Sequence, residues 1–162
     1  MQGKKTIIDT LNALLTGELS AADQYFIHAR MYENWGLNAL YERVEHERHD
    51  ELEHANHLIR RILFLEGVPD VASRAPLRVG ATVPQMLHND LDLELAVVTE
   101  LKAAIALCEK ESDYETRRML VQLLEDTEQD HAHWLEKQLG LIEKVGLPNY
   151  LQSAMGKPTS AS

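Results

Sequence analysis

The sequence predicts an all-α protein: a four-helix bundle made of two helical hairpins joined by a long crossover, with a short fifth helix near the C-terminal end. Three observations carry this. Leu, Ala, Glu and Arg, all good helix formers, are abundant, whereas alternating apolar and polar runs are scarce. Four long stretches repeat apolar residues every three to four positions, the spacing of one helical face. The breaks between them are short, long and short, which is the connectivity of two hairpins and a crossover.

The first helix spans about Thr6 to Trp35, with Ile7, Leu11, Leu14, Leu15, Ala22 and Tyr25 on its buried stripe. It ends at Gly36, a residue that adopts the left-handed C-terminal conformation without steric cost. The second runs from about Asn38 to Glu66 around Val44, Leu58 and Ile62, and Gly67 and Pro69 stop it. The stretch to Ala81, with Pro69, Pro76 and Gly80, has no helical period and is too long for a tight turn, so it reads as the crossover. Thr82 and Gln85 form a capping-box pattern around Pro84 and open a third helix that extends to about Glu111, with Leu87, Leu91, Val98 and Leu101 inward. Ser112 with Glu115 opens the fourth, whose stripe is Val121, Leu124, Leu135 and Ile142 and whose end is Gly146. Pro148 starts the short fifth helix, Asn149 to Met155.

One domain is expected over residues 1–155, followed by a Gly, Pro and Ser-containing tail at 156–162 that frays. A chain of 162 residues buries about 70% of its extended surface, enough for a real core. Cys108 is the single cysteine, which excludes an intrachain disulfide or a cysteine-rich metal centre and suits a reducing cytoplasm. No apolar signal segment and no membrane-spanning run of about 20 residues is present, so the expectation is a cytoplasmic protein without a membrane partner. The formal charge is -10 and the pI near 5.2, with the basic residues scattered among acids, which argues against nucleic acid as a partner.

The chemistry lies in a mirrored set of six residues. Two Glu-x-x-His pairs, Glu51/His54 and Glu128/His131, each follow a lone glutamate, Glu18 and Glu94, by 33 residues in one half and 34 in the other. With 17 Glu and 8 His, composition alone predicts about one such pair, so the pairs carry little and the near-repeat carries the argument. Residues three apart share a helix face, so each pair aims a carboxylate and an imidazole at one point. Glu18 and Glu94 interrupt apolar stripes, and both pairs sit among the inward residues of their helices, so all six are expected to face the core. Four clustered buried carboxylates repel and need protons or cations, and two divalent ions balance them charge for charge. One lone Glu on each of two helices and Glu-x-x-His on two others is a general template of di-metal carboxylate bundles, and the match to these residues is what the sequence adds.

With these motifs go the stretches "ELSAADQY" from Glu18 to Tyr25, "FIHARMYENWGL", "RRILFLEG", "DLDLELA" around Glu94, "DHAHWLE" after Glu128 and "GLPNYLQ". In these stretches and over roughly residues 1 to 155 the chain resembles the bacterioferritins, which are ferritin-like. The resemblance implies a 24-subunit shell that takes in Fe(II), oxidises it as a ferroxidase at an intrasubunit di-iron centre of two Fe per subunit, and stores a ferric mineral. It also implies roles: Glu18 and Glu94 as terminal ligands, His54 and His131 on one iron each, and Glu51 and Glu128 as bridges. Tyr25 would donate a hydrogen bond beside the centre, and His46 with Asp50 would form an extra iron site on the inner surface of the shell. Asn149 and Gln152 match residues near a fourfold pore, and a ferredoxin-type reductant would release the iron.

One position departs from the family. Haem b is held there between two subunits by a methionine, and Leu52 stands in its place. A leucine cannot ligate iron, so haem in a homo-oligomer is not expected, and co-assembly with haem-binding subunits that carry the methionine is the route left open. Leu52 is then expected to pack at a subunit interface. An alternative reading keeps the same six ligands in a non-storage di-iron peroxidase or oxidase. Its rubrerythrin-like form needs a cysteine-rich domain that this chain lacks, and a DNA-protecting mini-ferritin would carry a basic tail and share its ligands between subunits. Particle size separates these readings: 24 chains for storage, 12 for the mini-ferritin and two for the oxidase.

Overall fold

A computed structural model describes residues 1–157; the end of the predicted tail, 158–162, lies outside the described residues. Helix α1 is Lys5–Asn34, α2 is Asn38–Phe64 and α3 is Val83–Lys110. The fourth rod is not one regular helix. It consists of α4, Tyr114–Glu125, a π-helical segment, Asp126–Ala132, and α5, His133–Val145. The short α6 is Leu147–Ala154. No strand occurs among the described residues, and the fold is the expected ferritin-like bundle with a long crossover and a short terminal helix.

The stops behave as their chemistry requires. Gly36 sits at φ 75° and Gly146 at φ 80°, at the ends of α1 and α5. Thr82 Oγ1 accepts from the Gln85 backbone N–H at 3.4 Å, and Pro lies in the first turn of α3. The fourth rod starts one residue later than the capping-box pattern suggests. Ser112 is in the left-handed region at φ 57°, and Asp113 is the cap, its carboxylate accepting from the Thr116 backbone N–H at 3.1 Å. Aspartate is as good a cap as serine, and Ser112 is used instead to turn the chain.

The crossover is tied to α1 by side chains spaced four apart. Ser20 Oγ accepts from the Ala75 N–H, Gln24 Oε1 from the Arg78 N–H and His28 Nε2 from the Gly80 N–H. A chain without helix or sheet thereby satisfies its inward backbone donors. His28 Nδ1 is also bound to Asp90 Oδ1 at 2.9 Å, and both residues are fully buried, so this pair connects α1, α3 and the strap.

Two apolar clusters fill the bundle. One gathers Leu11, Leu15, Leu58, Ile62, Leu101 and Leu120, and the other Tyr25, Tyr32, Val44, Met86, Leu87 and Leu135. Each fully buried Leu or Ile contributes about 1.5–3 kcal/mol of burial free energy. The polar residues Glu18, Glu47, Glu51, His54, Glu94 and His131 are buried as well. The bundle therefore holds a polar centre within an apolar core.

Candidate metal centre

Five of the six predicted ligands converge. Glu18, Glu51 and His54 place ligand atoms within 4.8 Å of one another, and so do Glu51, Glu94 and His131, with Glu51 common to both groups. Its two oxygens are divided between the two imidazoles: Oε2 lies 3.5 Å from His54 Nδ1 and Oε1 lies 2.9 Å from His131 Nδ1. Glu18 Oε2 is 3.7 Å from His54 Nδ1, and Glu94 Oε1 is 3.4 Å from His131 Nδ1. α1 and α3 each contribute one glutamate, α2 supplies Glu51 and His54 one turn apart, and the fourth rod supplies His131.

Glu128 is a correction. Its side chain is 51% exposed and lies 3.5 Å from Lys102 Nζ on the surface, so the sixth predicted ligand does not face the core. The cause is local. Glu128 lies in the π segment, whose i→i+5 turns rotate each residue less about the axis than an α-helix does, so residues three apart fall further short of a full turn and Glu-x-x-His no longer shares a face. Thr127 is buried instead, its hydroxyl donating to Leu123 O at 2.8 Å. Val121, expected inward, is 40% exposed.

Three acidic residues outside the six expected ligands surround the histidines: Glu47, Asp50, which was expected only beside His46 on the inner surface, and Asp126, which sequence reasoning passed over. Glu47 Oε2 lies 2.6 Å and Asp50 Oδ2 3.3 Å from His131 Nε2, while Asp126 Oδ2 lies 3.4 Å from His54 Nε2. Each imidazole thus turns Nδ1 to the centre and Nε2 to a carboxylate, the arrangement that fixes the ring and tautomer of a metal-binding histidine. Glu47 was legible as an inward residue one turn before Glu51; its pairing with Arg43 was not. A cleft of about 440 Å³ lined by Asp50, His54, Asp126 and Asp130 opens beside the centre.

Burial and charge set the protonation of the metal-free centre. Burial, then Glu51, pushes Glu18 well above the usual carboxylate range, and burial likewise raises Glu94. Burial and Glu94 act upward on Glu51 too, but contacts with Glu18, His131 and His54 outweigh them and hold it below its ordinary value. Burial alone would lower His54, yet Glu18 and Glu51 hold its proton and push it up to about 11. His131 is raised as well, against burial, by Asp50, Glu47, Glu51 and Glu94.

The residues fit a pair of metal ions. Both Glu18 oxygens, Glu51 Oε1, His54 Nδ1 and His131 Nδ1 are buried without a hydrogen-bond partner among the described residues, and all belong to the converging groups. Buried polar atoms left orphaned in this way are costly and uncommon, and cations satisfy them together once the imidazoles give up their protons. Oxygen ligands with one imidazole per position suit iron, manganese or zinc.

The other predicted positions are distributed as follows. The Tyr25 hydroxyl donates to Glu94 Oε1. His46 Nε2 is 3.4 Å from Asp50 Oδ2 and largely exposed. Leu52 is 41% exposed on the outer side of α2. Asn149 donates to Val145 O at 2.8 Å, closing the last turn of α5, and Gln152 is exposed. Cys108 is a buried free thiol in the core. No helix among the described residues is long and apolar enough to cross a membrane.

Fold and centre together define a crossover-linked four-helix bundle with a carboxylate and histidine metal site between its helices. The description "Ferritin-like domain" matches residues 8–145, and the chain belongs to this family. It is 59% identical over 155 residues to a protein of Synechocystis sp. named bacterial ferritin, covering 96% of this chain and 99% of that protein. A bacterial ferritin of Paramagnetospirillum magnetotacticum is 60% identical over 157 residues, with 96% of each chain covered. A bacterioferritin of Mycolicibacterium paratuberculosis is 38% identical over 160 residues, covering 99% of this chain and all of that protein.

Proposed function

We propose that this protein stores iron and detoxifies it, oxidising Fe(II) to Fe(III) as a ferroxidase at the centre inside each subunit and holding the ferric product as mineral within a shell of 24 chains in the cytoplasm. The observation that carries the reading is Glu51, one oxygen toward each of two parallel imidazoles, inside a ring of buried ligand atoms without partners. The names of the relatives support storage.

The residues divide the work. Glu51 spans the two positions, Glu18 and Glu94 close them from opposite sides, and His54 and His131 each complete one. The Tyr25 hydroxyl holds Glu94 in place, and Asp126 and Glu47 orient the two rings. Hard carboxylate oxygens favour the ferric product over the ferrous substrate, so ligand chemistry drives the oxidation. Each of two Fe(II) ions gives up one electron, and an oxidant that accepts a pair, dioxygen or hydrogen peroxide, takes both. The acidic cleft over His54 is the route of entry, because carboxylates draw cations toward it.

The outer sites belong to the same reading. His46 with Asp50 passes iron or electrons between cavity and centre, Asn149 and Gln152 line an uncharged pore, and Leu52 packs at a subunit interface without binding haem b. Rapid-mixing absorbance after adding two Fe(II) per chain with oxygen tests the function. A fast ferric signal saturating near two irons supports it; a slow, unsaturable signal equal to that of buffer would overturn it. Sedimentation of the same sample separates a 24-chain particle from the dimer of a non-storage oxidase.

A further inference from the structure

We propose that Arg43 is a positioning residue for the metal centre: its guanidinium fixes the buried Glu47 carboxylate, and through Glu47 it holds the His131 imidazole with Nδ1 toward the metal. This rests on the metal-centre reading above.

Arg43 makes three contacts from one planar group. Its Nε pairs with Glu47 Oε1 on the same helix, its Nη2 donates to Asp130 Oδ1 at 2.9 Å in the π segment, and its guanidinium carbon lies 5.0 Å from the centre of the Trp134 ring at the start of α5. A rigid fork serves two carboxylates and an aromatic face together, which the point charge of a lysine does not. Local helix stability does not account for the pair with Glu47, because a cation four residues before a glutamate is the weaker order. The pair serves a tertiary purpose, tying α2 to the segment that carries His131.

Glu47 is the link. It is 2% exposed, and its two oxygens are divided, Oε1 to Arg43 and Oε2 to His131 Nε2 at 2.6 Å. A buried carboxylate needs a counter-charge, and Arg43 is the only lysine or arginine paired with it among the described residues. His131 does not supply that charge in the loaded centre, since imidazole binds metal as a neutral ring. Without the guanidinium, Glu47 turns outward to water and releases Nε2. The partner left to His131 is Asp50, 3.3 Å away, 32% exposed and on the wall of the open cleft, a looser hold that lets the ring turn from Glu51 and Glu94. His54 stands apart, because its Nε2 faces Asp126, which is not among the partners of Arg43.

Co(II) titration of the metal-free assembled protein, followed by its visible bands, tests this without turnover. In Arg43→Met, which keeps an apolar stem over Trp134, the ion beside His131 is expected to bind about 10- to 100-fold more weakly and the ion beside His54 to stay within about twofold. Glu18→Gln tells the two ions apart, since Glu18 shares a ligand group with His54 and not with His131. Arg43→Lys keeps the charge without the fork and should lose about two- to tenfold, the worth of one hydrogen bond. Glu47→Gln should lose as much as Arg43→Met, and the double variant no more than either alone, because the two residues act in series. Native affinities in Arg43→Met, losses that multiply in the double variant, or equal weakening of both ions with a lowered urea midpoint would overturn the positioning role and leave the metal site standing. If Arg43→Met does not fold, Arg43→Lys decides, and native affinities there would overturn the proposal. Native protein that binds no Co(II) would overturn both this inference and the ferroxidase reading.

Discussion

The imidazole rings of His54 and His131 lie parallel, with centroids 5.7 Å and planes 19° apart, and a single carboxylate, Glu51, reaches both. Two cationic rings would not stack in water; here the glutamates around them make the arrangement stable. Glu51→Gln keeps the volume and removes the charge, so its effect falls on the metals and not on packing. Both Co(II) affinities are expected to drop by about 10- to 100-fold in this variant, whereas Glu18→Gln should affect chiefly the ion beside His54. Retention of either native affinity in Glu51→Gln would contradict the bridging geometry.

Metal uptake should release protons. In the metal-free centre His54 is charged up to about pH 11, so it is protonated near neutrality, and Glu18 and His131 are shifted in the same direction. A bound metal needs neutral imidazole and ionised carboxylate. The metal-free state therefore holds more protons than the loaded one, and affinity rises with pH, by about tenfold per pH unit for each proton displaced. Co(II) titrations at several pH values, with a pH indicator in weak buffer, measure both the slope and the proton count. A flat pH dependence would mean that the ligands are already deprotonated.

The strap depends on His28 and Asp90. Asp90 accepts from Gln24 at 2.8 Å and from His28 at 2.9 Å, all three buried, and through them the crossover backbone at Arg78 and Gly80 is held. Asp90→Leu should cost about 1–3 kcal/mol or more, because it leaves buried donors unsatisfied. Asp90→Asn keeps one carbonyl acceptor and should cost less. Urea unfolding of the separate variants measures the difference, and equal losses would show that the hydrogen bonds are not what matters there.

Much of this architecture was legible in helical period and punctuation. Gly36, Thr82 and Gly146 end or begin helices where their chemistry demands it, and the inward glutamates Glu18 and Glu94 stand out among leucines. What escaped was register. Reading Glu128 and Val121 as inward assumes 3.6 residues per turn along the whole fourth rod, yet the 34-residue spacing already held the excess residue. Nothing local distinguishes a π turn, because its cause is tertiary: His131 must meet Glu51 from across the bundle. Asp126 and Asp130 were illegible for the same reason, since only the altered register turns them toward α2.

Cys108 offers a check on the core that does not involve metal. It is 1% exposed among Leu101, Ala104 and Leu120, and burial, followed by the charge of Asp113, pushes its thiol up to about 11. At pH 8 roughly one molecule in a thousand would carry the thiolate, against about a quarter in an unfolded chain, where the pKa is ordinary. Since the thiolate is the nucleophile, labelling by a disulfide reagent should be slower than in denatured protein by at least about 100-fold, and slower still because the reagent must reach the core. The residual rate then reports opening of the bundle, so it should fall further when Co(II) is bound, as metal stabilises only the folded state. Fast labelling of the native protein would mean that the helix ends around Cys108 separate readily, and that the apolar cluster of Leu101 and Leu120 is not a closed core.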